Sequence, residues 1–367
     1  MRALFISSTV RLINSQTPPG QGELALDMLI RVDTRAVITR EAIMSIAERL
    51  AAPTSAMLSI TLEENTQALL ARAHQLLLAQ EFLAAFRLLG SPLSALWSEA
   101  RGSGREQDML AWCRAHPLHA LVQEDPYTHR ASTKPRGYAG DAVMMDYIYT
   151  RQAPAGTSAL GQGLFGATTR VSMGLSVQYR RQLLKSLIDD TVVNHEAGRI
   201  LSVASGHARE LEGSLVGNAC FRGEVVALDQ DPLSCEEVAR VHEAAPVRVV
   251  CRGVRDLLGG PLADELGAFD LIYSAGLYDY LPDTMARRLT TRLLHLLRPG
   301  GRLLIANFVP GGSGRGYMEL FMDWTLVLRN EAAMRVLATA SGAEQVITFH
   351  DPHRNVVYAE LLRERAA

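Results

Sequence analysis

Between Leu62 and Leu89 apolar residues recur at helical spacing, with Leu69, Leu70, Ala73, Leu76 and Leu77 on one stripe. Gly90-Ser91-Pro92 stops this run and starts a second helix through Trp97, so the segment reads as a helical hairpin whose stripe packs an internal core or a dimer seam. Before it, two β-like runs (Ala3 to Ile6, Met28 to Val32), a turn at Pro18-Pro19-Gly20 and a helical stretch from Thr39 to Leu50 predict a mixed region.

Beyond residue 165 the period alternates between strand and helix. The pattern predicts a helix over Arg170 to Asp190, a strand over Arg199 to Ala204, a helix over Ala208 to Val216 and a strand over Glu224 to Leu228. A helix over Ser234 to Glu243, strands over Val247 to Cys251 and Phe269 to Ser274, a helix over Asp283 to Leu297 and a strand over Arg302 to Phe308 follow. Repeated β-α units with β-branched strands imply a parallel sheet covered by helices on both faces, a doubly wound α/β domain. His350 falls in a hairpin between two final antiparallel strands, and the His350-Asp351-Pro352-His353 string reads as a solvated turn rather than a metal site.

Between these halves lies Asp125 to Tyr149, where aromatic, charged and glycine residues crowd together without a period, a texture typical of functional loops. Gln152 to Thr169 carries no charge and reads as a connection. The expected organisation is an N-terminal region over 1–120 that mediates a homodimer, a cap segment and linker over 121–165, and an α/β domain over 166–367.

Thirty-seven Lys plus Arg stand against 39 Asp plus Glu, so there is no global basic field to hold a phosphate backbone, and nucleic acid is set aside as a partner. Cys113, Cys220, Cys235 and Cys251 lack C-x-x-C spacing and read as buried free thiols. No run of eighteen apolar residues occurs, so no membrane span is expected, and Ser7, Ser8 and Arg11 interrupt any signal-peptide core, so the expectation is a cytoplasmic chain.

The chemistry-bearing loop is Ile200-Leu201-Ser202-Val203-Ala204-Ser205-Gly206-His207-Ala208, a strand ending in small residues that let backbone approach a ligand. Asp229 follows 23 residues after Gly206, the interval at which an acid accepts ribose hydroxyls in Rossmann-like folds. A fourth strand opens into Ser274-Ala275-Gly276, and Leu297-Arg298-Pro299-Gly300-Gly301-Arg302-Leu303-Leu304 joins helix, tight turn and fifth strand. In that order the set resembles class I S-adenosylmethionine-dependent methyltransferases. Lys134-Pro135-Arg136-Gly137-Tyr138-Ala139-Gly140-Asp141 and Gly316-Tyr317-Met318-Glu319-Leu320-Phe321-Met322-Asp323-Trp324 further resemble the methyltransferases that make 3-hydroxy fatty acid methyl ester signals, the extracellular-factor biosynthesis family.

That resemblance implies a Rossmann-like doubly wound seven-stranded sheet with a mainly helical N-terminal region, S-adenosyl-L-methionine as cofactor and methyl transfer to the carboxylate of a small molecule. It implies cofactor contacts at Ala204, Ser205, Gly206, Glu210, Asp229 and Gln230, at Arg255 and Asp256 after the third strand, and at Ser274, Ala275 and Gly276 after the fourth. Where the family has G-x-G-x-G, this chain has Ala204, Gly206 and Ala208. Candidates for the acceptor side are Arg136, Tyr138, Asp141, Tyr278 and Trp324, with Tyr280, Tyr317 and Asp323 near them; Arg136 could clamp a carboxylate and Tyr138 face the sulfonium. No metal is expected. Arg180-Arg181 and Arg287-Arg288 read as solvated helix faces. Transfer to a hydroxyl or nitrogen, a nicotinamide-dependent oxidoreductase, and a non-enzymatic cofactor-sensing dimer are the alternative readings.

Overall fold

The computed structural model describes residues 61–364, which belong to one compact unit. The features expected at Ala3 to Ile6, Pro18 to Gly20, Met28 to Val32 and Thr39 to Leu50 lie outside the described residues.

Helices come first: α1 (Leu62–Leu78), α2 (Phe82–Leu89), α3 (Ser91–Gly102), α4 (Glu106–Ala115), α5 (Pro117–Val122), α6 (Pro126–Thr133), α7 (Ala142–Thr150), α8 (Ala159–Thr168) and α9 (Ser172–Asn194). The Thr61 and Glu64 side chains form a reciprocal capping box at the start of α1. The expected hairpin is broken at Gln80, whose φ of 59° no continuing helix can hold, so Leu62 to Leu89 makes two helices rather than one. Leu70, Ala73, Leu76 and Leu77 are buried inside this chain's own core. The uncharged stretch expected as a connection folds in its second half into α8, capped by Ser158 and burying Leu164 and Phe165.

The strands follow: β1 (Arg199–Val203), β2 (Glu224–Asp229), β3 (Val247–Cys251), β4 (Phe269–Ser274), β5 (Leu297–Phe308), β6 (Gln345–His350) and β7 (Val356–Leu362). Their order is 3-2-1-4-5-7-6, parallel from β3 through β5, with β7 antiparallel to both β5 and β6. Between the strands run α10 (Pro232–Val241), α11 (Val254–Gly259), α12 (Leu262–Leu266), α13 (Asp283–His295), α14 (Arg315–Phe321) and α15 (Glu331–Ala340). The helix expected over Ala208 to Val216 is absent; two 3-10 turns, Arg209–Leu211 and Leu215–Gly217, replace it. Gly213 at φ 69° separates them, and the chain gains a compact loop where an α-helix would have continued.

One apolar cluster lies on each face of the sheet. A third joins the N-terminal helices to Tyr317, Leu320, Phe321, Met322 and Trp324. The segment after β5 is therefore packed into the helical layer, which sets that layer over the carboxyl ends of the strands. Of the cysteines, Cys113 and Cys235 are buried as expected but Cys220 and Cys251 are exposed, one in a turn and the other closing an edge strand. Among the described residues no helix is long and apolar enough to cross a membrane.

Candidate active site

A cavity of about 550 Å³ opens at the carboxyl ends of β1, β2 and β4, where open α/β sheets bind ligands. One side is the loop after β1. Ala204, Gly206 and Ala208 hold φ of 56°, 55° and 48°, so both alanines adopt the left-handed backbone that glycine takes without strain. The amide of Gly206 donates to Asp229 Oδ2 at 2.7 Å, and that of Asp231 donates to Oδ1 at 2.9 Å. Burial raises the Asp229 carboxyl above its ordinary range, while these backbone bonds oppose the rise.

Ala204, Ser205, Gly206, Glu210, Asp229 and Gln230 line this side of the cavity, as do Ala275 and Gly276. Glu210 is buried on the first 3-10 turn and accepts from the Tyr273 hydroxyl at 2.7 Å; burial raises its carboxyl. Three residues expected here are elsewhere. Ser274 is turned into the sheet, donating to the Val203 carbonyl at 3.0 Å and tying β4 to β1. Arg255 and Asp256 belong to the first turn of α11, where the Asp256 carboxylate accepts from the Gly253 amide. Arg252 and Val254 line the cavity instead, because the extended residue between them puts both on one side.

Residues between 127 and 149, in the expected cap segment, line the cavity beside the β1 loop, Ala142 lying against Gly206. Tyr138 and Arg136 are among them, but the Arg136 guanidinium is already engaged by Asp231 Oδ2 at 2.7 Å and Ser234 Oγ at 3.0 Å. Asp141 lies outside the lining: its carboxylate caps α7, accepting from Val143 and Met144, and pairs with Arg130 at 2.7 Å. Tyr278 points into the core, its hydroxyl 2.8 Å from Thr290 Oγ1, and Tyr280 two residues on reaches the cavity. Trp324 lines the site, whereas Tyr317 is buried against Thr128 and Asp323 is an exposed partner of Lys134. His207 joins the cap to the loop, its Nδ1 lying 2.8 Å from Asp146. Burial would raise the Asp146 carboxyl, but Arg209 and His207 hold it down at about 2.

Arg180 and Asp279 are among the cavity residues that the sequence patterns did not point to. Arg180, expected on a solvated face, is buried, because α9 turns Met173, Val177, Arg180 and Leu184 toward the cavity at 4-3-4 spacing. That spacing was the available signal: an arginine on an otherwise apolar stripe. Asp279 is buried at the end of the β4 loop, with Oδ1 accepting from Asn307 Nδ2 at 2.9 Å and the Phe308 amide at 2.7 Å. Burial pushes its carboxyl up to about 7 despite those bonds and the nearby Arg180 and Arg329. His350 lies 3.8 Å from Glu331, and among the described residues no group of three His, Cys, Asp or Glu side chains could hold a metal ion.

The sheet order 3-2-1-4-5-7-6 with an antiparallel β7 is the Rossmann-like fold of class I methyltransferases, and it differs from the all-parallel 3-2-1-4-5-6 order of nicotinamide-dependent dehydrogenases. No family profile and no curated protein matches the chain. Among solved structures it is similar to a possible exported protein from Bordetella parapertussis, with 17% identity over 85% of this chain and 99% of that one, at a TM-score of 0.55. It is also similar to the S-adenosylmethionine-dependent methyltransferase SibL, with 15% identity over 81% and 97% of the two chains at a TM-score of 0.43. A third is the magnesium protoporphyrin IX methyltransferase of Synechocystis, crystallised with S-adenosylmethionine, with 12% identity over 62% and 99% at a TM-score of 0.38.

Proposed function

We propose that the protein is an S-adenosylmethionine-dependent methyltransferase whose acceptor is the carboxylate of a small molecule with an apolar body. The observation that carries this reading is Asp229 at the end of β2, facing a cavity bounded by the left-handed turn of the β1 loop. An acid there accepts the two hydroxyls of a ribose, and the small residues 204 to 206 leave room for backbone approach. The residues present therefore fit the cofactor. When bound, the cofactor supplies an electrophilic methyl group on a sulfonium.

The chain's own part is positioning and exclusion of water. Asp229 would hold the sugar, and Ala275, Gly276, Tyr127, Tyr138, Tyr280 and Trp324, which line the same cavity, would shield the reacting groups from water. A carboxylate acceptor arrives ionised, so the chain would need no base to take a proton from it. A second reading, transfer to a hydroxyl or nitrogen, is favoured by Asp279, whose carboxyl near 7 is suited to taking a proton.

Calorimetry with S-adenosylhomocysteine tests the first step, with Asp229→Ala expected to weaken binding about 10- to 100-fold by loss of charge-assisted hydrogen bonds. Absence of binding at sub-millimolar concentration rejects the reading. Mass spectrometry of products from a panel of acids, alcohols and amines separates the acceptors. A carboxylate acceptor tolerates Asp279→Asn, whereas a hydroxyl or amine acceptor does not.

A further inference from the structure

Arg180 is a buried cation that forms no ion pair among the described residues. Its guanidinium donates to the Ala275 carbonyl at 2.5 Å and lies 3.3 Å from the Met145 thioether, a weak acceptor. Its Nε has no hydrogen-bond partner. Among the described residues no carboxylate oxygen lies within the 4.0 Å of an ion pair. Burial opposes its charge, but Tyr149, Tyr358 and Asp279 act on it strongly enough to hold the guanidinium above its ordinary pKa; Asp279 spends one oxygen on Asn307 and the Phe308 amide. With no carboxylate at ion-pair distance and one N–H unpaired, the guanidinium can still take up an anion, and it borders an open cavity.

We propose that Arg180 is an anion anchor of the active site, binding the carboxylate of a molecule held in the cavity. A planar fork with a free N–H suits a carboxylate, and the Ala275 contact fixes the fork at the mouth of β4. Two molecules can bring that group: the methionine half of the cofactor or the acceptor. The inference rests on the methyltransferase reading and adds to it a named binding residue.

The test is calorimetry on the full chain and on Arg180→Gln and Arg180→Lys, with S-adenosylhomocysteine, with 5′-methylthioadenosine, which lacks the amino-acid half, and with decanoate added to the protein saturated with S-adenosylhomocysteine. If the carboxylate is the cofactor's, Arg180→Gln weakens S-adenosylhomocysteine about 10- to 100-fold and leaves 5′-methylthioadenosine within about threefold, Arg180→Lys falling between. Unchanged 5′-methylthioadenosine binding also reports that the variant is folded. If the carboxylate is the acceptor's, both nucleosides bind as before and decanoate alone loses affinity. The proposal is overturned if all three ligands bind the variants as they bind the native chain, or if both nucleosides weaken together. Failure of the methyltransferase reading looks different, since the native chain would then bind neither nucleoside.

Discussion

The indole of Trp324 donates to the hydroxyl of Tyr280 at 2.8 Å, and that hydroxyl donates in turn to the Ala139 carbonyl at 3.1 Å. One chain of hydrogen bonds thus joins the segment after β5, the loop after β4 and the cap. Gly140 lies directly beneath it at φ 73°, where an added Cβ would come within 2.3 Å of Trp324 and 2.6 Å of the Tyr280 hydroxyl. Gly140→Ala must therefore displace the wall of the cavity as well as strain the backbone, and is expected to cost about 1–3 kcal/mol. Tyr280→Phe, which keeps the ring but leaves the Trp324 N–H unsatisfied, is expected to cost about 1–3 kcal/mol. Urea unfolding midpoints check both; a Gly140→Ala midpoint equal to the native one contradicts the packing argument.

A different response is expected in the β1 loop. Ala204 sits at φ 56°, a left-handed conformation that costs an alanine roughly 1–2 kcal/mol, while glycine at that site brings roughly 0.5–1 kcal/mol of extra unfolded-state entropy. Ala204→Gly is therefore expected to be neutral or to stabilise by up to about 1.5 kcal/mol. Gly206→Ala, which adds a methyl 3.3 Å from the Ala142 Cβ, is expected to destabilise by about 1–2 kcal/mol. Thermal melts of the two variants side by side check the opposite signs.

The sheet was legible because most strands are short apolar runs closed by turn residues, and β3 and β4 have the bounds their runs suggested, whereas β5 starts at Leu297 and takes in the Arg298 to Gly301 stretch expected as a tight turn. Side-chain direction was less legible. Tyr278 and Tyr280 look alike in sequence, yet the 3-10 turn that carries them sends one into the core and the other to the cavity. Arg180 and Arg181 look alike too. Adjacent helical positions diverge by about 100°, so Arg180 faces the cavity while Arg181 reaches Glu212 at 3.0 Å. Which of two neighbours is buried depends on what packs above the helix, and here that is the cap, whose irregular sequence carries no period to read.

Glu319 ties the helical layer to the segment after β5. Its carboxylate accepts from Trp97 Nε1 at 2.7 Å, Arg101 Nη1 at 2.9 Å and Arg315 Nε at 2.7 Å. Trp97→Phe removes one charge-assisted bond and leaves the two arginines in place, so a loss of about 1.5–3 kcal/mol is expected. Glu319→Ala should cost at least as much, because the buried indole N–H then has no acceptor while the arginines can turn toward water. Denaturant titration of the two variants tests the ordering, and a smaller loss for Glu319→Ala than for Trp97→Phe contradicts it.

The carboxyl of Asp279 links stability to pH. Burial raises it from its ordinary 3.8 to about 7, so between those values the folded chain retains a proton that the unfolded chain has released. Stability falls with rising pH wherever the native state binds more protons, so the contribution of this group is fully present below about pH 4 and is lost as the pH passes 7. Asp125, Glu210 and Asp229 are also raised by burial and act in the same direction, so the native profile alone does not isolate Asp279. Asp279→Asn does. The amide oxygen still accepts from the Phe308 amide and from Asn307, and the group no longer titrates. Melting temperatures of native and variant chains at pH 4.5, 6 and 7.5 are therefore expected to diverge as pH rises, the variant gaining on the native chain. Parallel profiles across that range would mean that Asp279 ionises at an ordinary pH, and its placement as a proton-holding group beside the acceptor would fall with it.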